Sequence, residues 1–473
     1  MGVMLAFGFL LLLLFTEDAH SSILQRRRRQ LRAFQSKLQH KFTPSQNDAP
    51  VPKTEGRVIY PIGYGADPTG AADSSDAILE AVADAFRVQK GLQLLPSVND
   101  LGGVTIDFQG GNFNVSKPIS FPPQGGGNLL VKGGSLRASA EFPGDRHLIE
   151  LPSSQSGSII FEDITFRDML FDSGYRGGGL SVVNSARIRI NNCYFLHFTT
   201  EGILVQGGHE TFVSESFLGQ HETVGGDPAE KTFSGTGIDL ASNDNAVTDV
   251  AIFSAATGII LRGQANIITG VHCYNKATYF GGIGILVKLP GNSQTRIDNC
   301  YLDYNSILIE DPVQVHITNG FFLGGGNVVL KSIKGQVSGL NIVNNMFSGD
   351  PKNMRPIVEL DGAFGSRDQV VVDHNDVVGM AVKSTVGRLT VAGNGTKWVA
   401  DFSPVLLFPN QISHLQYGFY DRGGGAAKAG GGFAAHAVTS VANNAVTVEA
   451  DRVVDGVVSV VVDQHNRAGE LGF

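Results

Sequence analysis

Ile190-Asn191-Asn192-Cys193-Tyr194, Ile297-Asp298-Asn299-Cys300-Tyr301, Ile317-Thr318-Asn319-Gly320-Phe321 and Val343-Asn344-Asn345-Met346-Phe347 are four versions of one phrase. A β-branched residue leads, a polar residue fills a slot, and an apolar pair or aromatic closes. The slot recurs as Asp163, Asn192, Glu215, Asp249, His272, Asn299, Asn319, Asn345 and Asn375, about every 20 to 34 residues. A period of that size belongs to a solenoid.

A second column repeats with the same period: Gly202-Ile203-Leu204-Val205, Gly237-Ile238-Asp239-Leu240, Gly258-Ile259-Ile260-Leu261, Gly284-Ile285-Leu286-Val287, Ser306-Ile307-Leu308-Ile309 and Asn327-Val328-Val329-Leu330. These short β-branched runs, bounded by Gly and Asn, read as strands. One coil cannot bury its own apolar face, so stacked coils share an elongated core with rungs about 4.8 Å apart. The chain therefore reads as all-β, a parallel β-helix of roughly nine or more coils. The slot residues are expected to form a structural ladder inside the turn, with His272 an internal histidine of that ladder and Asp249 also structural. Cys193, Cys273 and Cys300 fall in or beside the slot and read as buried small hydrophobes.

Outward from the ladder, Asp73-Ser74-Ser75-Asp76 leads into 77–86, an amphipathic helix with an N-cap and an acidic first turn. Such a helix plugs the open end of a solenoid. Residues 55–393 are assigned to the β-helix with this cap, and 394–473 to a small β-rich appendage in which 446–462 alternates as a hairpin would. The apolar run 5–15 marks 1–22 as a signal peptide, too short to span a bilayer, followed by a polar arm over 23–54 with Arg26 to Arg29 as a solvated segment. Asn114-Val115-Ser116 and Asn394-Gly395-Thr396 fit the N-glycosylation pattern, in keeping with secretion. A net charge of −8 gives no footprint for nucleic acid. The expected protein is extracellular, monomeric, and without cofactor, metal or lasting membrane association.

On these residues a family is identifiable. The entry segment, from Tyr64-Gly65-Ala66-Asp67-Pro68-Thr69-Gly70 to Phe86, resembles that of right-handed, pectin-lyase-like β-helix proteins. Val271-His272-Cys273-Tyr274-Asn275-Lys276 and Asn344-Asn345-Met346-Phe347-Ser348-Gly349 resemble the QUARTET-type plant polygalacturonases. The resemblance implies hydrolysis of α-1,4-linked galacturonan in pectin of the cell wall, and a part in separating pollen grains. Family 28 glycoside hydrolases carry an Asp, an Asp pair and a His on successive coils. Aligning Gly237-Ile238-Asp239 with the family's G-I-D puts Thr236, Ala256-Thr257 and Ile283 at those positions.

Inverting hydrolysis still needs one carboxylic acid and one carboxylate roughly 6.5 to 9.5 Å apart. By strand alternation Asp239 points outward, with Glu201 one coil before Thr236, so the two are expected as neighbours across a rung. Arg262 and Lys288 lie on the same outward face and suit uronate groups. His209 corresponds to Asp244 in the next turn, and the long insertion between Glu215 and Asp249 adds His221 and Glu222. Asp239 and Glu201 are the leading candidates for catalysis, followed by Asp244, Glu222 and His221. Arg262, Lys288 and His209 are candidates for substrate binding. A calcium-assisted pectate lyase and a catalytically silent wall-binding protein stay open as alternatives.

Overall fold

The computed structural model describes residues 51–88, 91–152, 157–220, 234–274, 281–422 and 433–465. The expected signal peptide, the arm as far as residue 50, the insertion 221–233 with His221 and Glu222, and the Gly/Ala stretch 423–432 lie outside the described residues. The chain divides into two compact units, one running to Ile259 and the other from Ile260.

In the first unit helix α1, Ser75–Ala85, buries Ile78, Ala81, Val82 and Ala85, a single helical stripe, against strands Asp100–Asp107 and Ile119–Ser120. The capping group is the Asp73 carboxylate, which accepts the Ser75 N–H at 3.2 Å; the Ser74 side chain makes no capping bond. Asp73 also accepts from the Ser116 N–H at 3.1 Å and hydroxyl at 2.8 Å, tying the helix start to the end of strand Asn112–Val115. Burial opposes ionisation of this carboxyl, but the bonds from Ser75 and Ser116 outweigh it and hold its pKa low.

Parallel coils follow. Strand Gly178–Asn191 pairs with Glu201–Ser214, which pairs with Ser234–Asn243. Leu180, Ile203 and Ile238 align in register, as do Val182, Val205 and Leu240, and all six are buried. Short strands Tyr194–Leu196, Phe217–Gly219 and Ala251–Phe253 form another parallel stack. The second unit repeats the plan: Ile285, Ile307, Val328 and Val358 align inside one stack, and Cys273, Leu302, Phe322, Phe347 and Val377 occupy matching positions in another. Each unit is a parallel β-helix.

The turn before the short strands shifts the expected ladder by one residue at Asn192, Glu215, Asp249, Asn299 and Asn319, whereas Asn345 and Asn375 are ladder residues as expected. Asn192, Glu215 and Asp249 in the first unit, and Asn299, Asn319, Asn344 and His374 in the second, take left-handed φ angles of 51 to 59°. Asn and Asp tolerate that conformation best among residues with a Cβ. The residue after each turn points inward: Cys193, Ser216, Val250, Cys300, Gly320, Asn345 and Asn375. All three thiols are buried as small hydrophobes, and burial pushes Cys193 and Cys300 up to about 12. The amide ladder itself is formed by Asn345 and Asn375. Asn345 Nδ2 donates to Ile317 O at 3.1 Å and to Asn375 Oδ1 at 3.0 Å, while its Oδ1 accepts the Gly320 N–H at 2.8 Å. His272 is no part of this interior. It opens the strand His272–Tyr274, half-buried, its ring edge-on to Tyr301 at 4.2 Å.

The second unit also contains a four-stranded antiparallel sheet of Val386–Asp401, His414–Asp421, His436–Ala442 and Ala445–Asp463. Its first strand crosses the expected boundary at 394. Residues 446–462 lie within one continuous strand, and the hairpin is made with His436–Ala442 through Asn443 and Asn444.

Candidate active site

Glu201 opens strand Glu201–Ser214 directly opposite Thr236, as the column spacing predicts. Asp239 stands opposite Leu204, between the buried inward residues Ile238 and Leu240. The two carboxylates therefore lie on adjacent strands but are not directly opposed. Three residues along the strand and one rung across separate their backbones by roughly 11 Å. Glu201 is open to solvent with 27% of its side chain exposed, whereas Asp239 is 2% exposed.

A polar group that the strand columns did not single out lies beside Glu201. Strand His147–Leu151 pairs with Gly178–Asn191, setting His147 against Gly178. A Cβ on Gly178 would strike the His147 ring, so its absence lets the imidazole cross that rung. The His147 Nε2 reaches 3.4 Å from Glu201 Oε2. That separation suits a charge pair but lacks hydrogen-bond directionality, and Nε2 has no hydrogen-bond partner among the described residues. Three residues on, Glu150 accepts from Arg146 Nε at 2.8 Å and Nη2 at 2.5 Å, from the His147 N–H at 3.2 Å and from the Ser120 hydroxyl at 3.2 Å. Burial works against the Glu150 anion, but the Arg146 fork and the His147 N–H overcome it and lower the pKa.

A second unforeseen pair follows the short strands. Asp172 bonds the His197 Nδ1 at 2.8 Å and accepts from Arg137 Nε at 3.1 Å, and the ring of Tyr175 lies 4.6 Å from that of His197. Burial disfavours the Asp172 anion, but His197 more than compensates and its pKa falls.

His209 pairs with Asn243, not Asp244, because the register slips by one residue between Gln206 and His209. Glu210 and Asp244 are the matching residues, with φ angles of 60° and 59°. Asp244 is an exposed turn residue, and His209 Nδ1 lies 3.3 Å from Glu210 Oε2.

The second unit holds Arg262 and Lys288, both exposed, each directly after the end of a strand, at Leu261 and Val287: the Lys288 N–H donates to Leu261 O at 2.8 Å. Glu310 pairs with Lys331 and Lys331 with Asp361, and Lys331 Nζ lies 3.4 Å from Glu310 Oε1. After the two cations the charges alternate along the stack through Glu310, Lys331 and Asp361, with Glu310 and Lys331 paired. Asp303, missed by sequence reasoning, ends the strand Tyr301–Asp303 with 3% exposure, and burial raises its pKa to about 7. Alternation with inward Leu302 was the available signal for its orientation; its desolvation depends on packing that a linear sequence does not display. No group of three or more potential metal ligands occurs among the described residues.

No family model matches the chain. Over 413 residues it is 54% identical to Polygalacturonase QRT3 of Arabidopsis thaliana, covering 86% of this chain and 84% of the relative. The chain belongs to the QUARTET-type polygalacturonases. This polygalacturonase also aligns with the A-module of the Azotobacter vinelandii mannuronan C-5 epimerase AlgE6 at 14% identity and a TM-score of 0.48, over 68% of this chain and 88% of that one. The catalytic unit of an α-1,3-glucanase from Streptomyces thermodiastaticus aligns at 15% identity and 0.44, over 71% and 66%. The polygalacturonase has Thr236 within strand Ser234–Asn243 and Ile283 at the start of strand Ile283–Val287, where the family 28 resemblance expects an Asp and a His, and half-buried Ala256 and Thr257 at the expected Asp pair.

Proposed function

We propose that this chain hydrolyses α-1,4-galacturonan of pectin in the plant cell wall, with Glu201 and Asp239 as the proton-transfer pair. Family membership supports the reaction. The pair is supported by the strand register that sets Glu201 against Thr236 and Asp239 against Leu204 on adjacent strands; inverting hydrolysis by two carboxyl groups uses one water. Glu201, the solvent-facing member, takes the proton of that water as its oxygen bonds to the anomeric carbon. Asp239 protonates the departing glycosidic oxygen. Arg262 and Lys288 bind uronate carboxylates, with His209 a further contact, while Asp244, His221 and Glu222 are the second-tier candidates for catalysis. Secretion through the 1–22 signal, glycosylation at Asn394 and action as a monomer without cofactor complete the reading.

The test is polygalacturonate with and without chelator. New reducing ends on saturated sugars, unaffected by chelator, are expected. Unsaturated ends would make the chain a lyase, and unaltered polymer that is nevertheless bound would make it a silent module. Asp239→Asn and Glu201→Gln should each lower kcat by about 100-fold or more while the protein folds and is secreted. Full activity in either variant removes that residue from the mechanism.

A further inference from the structure

The imidazole that crosses Gly178 ends beside a carboxylate of the proposed pair. We propose that His147 is a positioning residue for Glu201, holding its carboxylate on the line along which water attacks the substrate. The inference rests on the proposed role of Glu201 and deepens it.

Three features carry it. The His147 backbone is held twice: its N–H is fixed on Glu150, which Arg146 grips with two bonds, and its strand is in register with Gly178–Asn191. The ring is 7% exposed and reaches its partner only because residue 178 has no side chain. Its Nε2 faces Glu201 Oε2 at 3.4 Å while the same side chain of Glu201 remains open to solvent. An imidazole placed for packing alone has no need to direct a ring nitrogen at a solvent-facing carboxylate across an intervening rung. A hydrogen bond from Nε2 to Oε2 in the substrate complex would fix the orientation in which the Glu201 carboxylate takes the proton from water. Catalytic hydrogen bonds are commonly long before substrate binds.

The experiment uses the purified full chain on polygalacturonate, with kcat and KM measured separately and thermal unfolding recorded for each variant. His147→Ala should lower kcat by about 30- to 100-fold with KM within about twofold, since orientation is lost but substrate contacts remain. Added imidazole, entering the space beside Gly178, should restore a substantial part of kcat in His147→Ala and none in Glu201→Gln. If His147→Ala fails to fold, His147→Leu, which keeps bulk but has no donor, is read by the same split. An inactive Glu201→Gln beside a folded His147 variant with wild-type kcat, or with kcat lost but no response to imidazole in His147→Ala, overturns the role of His147 alone. An active Glu201→Gln removes the proposed pair itself.

Discussion

At the residue scale, the carboxylates of this chain fall into two electrostatic types. Glu150 and Asp172 are partly buried, yet cationic partners and N–H donors keep their pKa values low. Such groups contribute stability above their unfolded pKa and lose it as pH falls through the folded value. Asp303 is the reverse: desolvation lifts it from 3.8 to about 7, beside Tyr301 and Tyr304, whose own pKa values are raised first by burial and then by its charge. Its contribution is fully present below the unfolded pKa and is lost as pH rises through about 7. The shift corresponds to roughly 4 kcal/mol across that window. Urea titrations from pH 4.5 to 8 should therefore show wild type losing stability relative to Asp303→Asn by up to a few kcal/mol as pH rises. A pH-independent difference between the two would refute the assignment of a buried, proton-retaining Asp303.

At the scale of one element, the turn before the short strands separates two Asn environments that look alike in sequence. Asn319 is an exposed left-handed residue whose amide donates to Asp298 Oδ1 at 2.8 Å, whereas Asn345 is fully buried and bonded to successive coils. Asn345→Ala leaves the Gly320 N–H without its acceptor and removes one of the two donors to Asn375 Oδ1, and should cost about 2 to 4 kcal/mol in chemical unfolding. Asn319→Ala should cost about 1 to 2 kcal/mol, mainly for its left-handed backbone. Equal losses would contradict the ladder described above. The strand columns were legible because inward apolar residues repeat in strict register, as Ile203 over Ile238 and Ile307 over Val328 show. The turn frame was not, because Asn344-Asn345 offers two equivalent letters and only the φ of 59° at Asn344 tells which one turns. The His147–Glu201 approach was hidden for another reason: its partners belong to strands separated by an intervening rung, and the decisive feature is the missing Cβ of Gly178.

At the scale of the molecule, the stacked coils and the antiparallel sheet are stabilised differently. A coil gains from its neighbours along the stack, whereas the antiparallel sheet has a core of its own, with Trp398, Ala400, Phe402, Val446, Val448, Val458, Val460 and Val462 buried together. The two sequons also differ. Asn394 is exposed on a strand of the sheet, while Asn114 is half-buried and the hydroxyl of its Ser116 is bonded to Asp73. Glycopeptide mapping after expression in plant cells should find glycan at Asn394, lost in Asn394→Gln; a glycan at Asn114 alone would be the opposite result. Trp398 is the chain's single tryptophan, packed edge-on to Phe419 at 5.1 Å and paired with Val448. Its fluorescence therefore reports the sheet, while far-UV circular dichroism is dominated by the coils. Val448→Ala removes buried methyl groups at about 1 to 3 kcal/mol. It should lower the fluorescence midpoint by several degrees and leave the dichroism midpoint nearly unchanged, because a solenoid's stability is set by contacts between neighbouring coils. If both midpoints fall together, the sheet and the coils unfold as one cooperative body, and the independent core inferred from these buried residues is wrong.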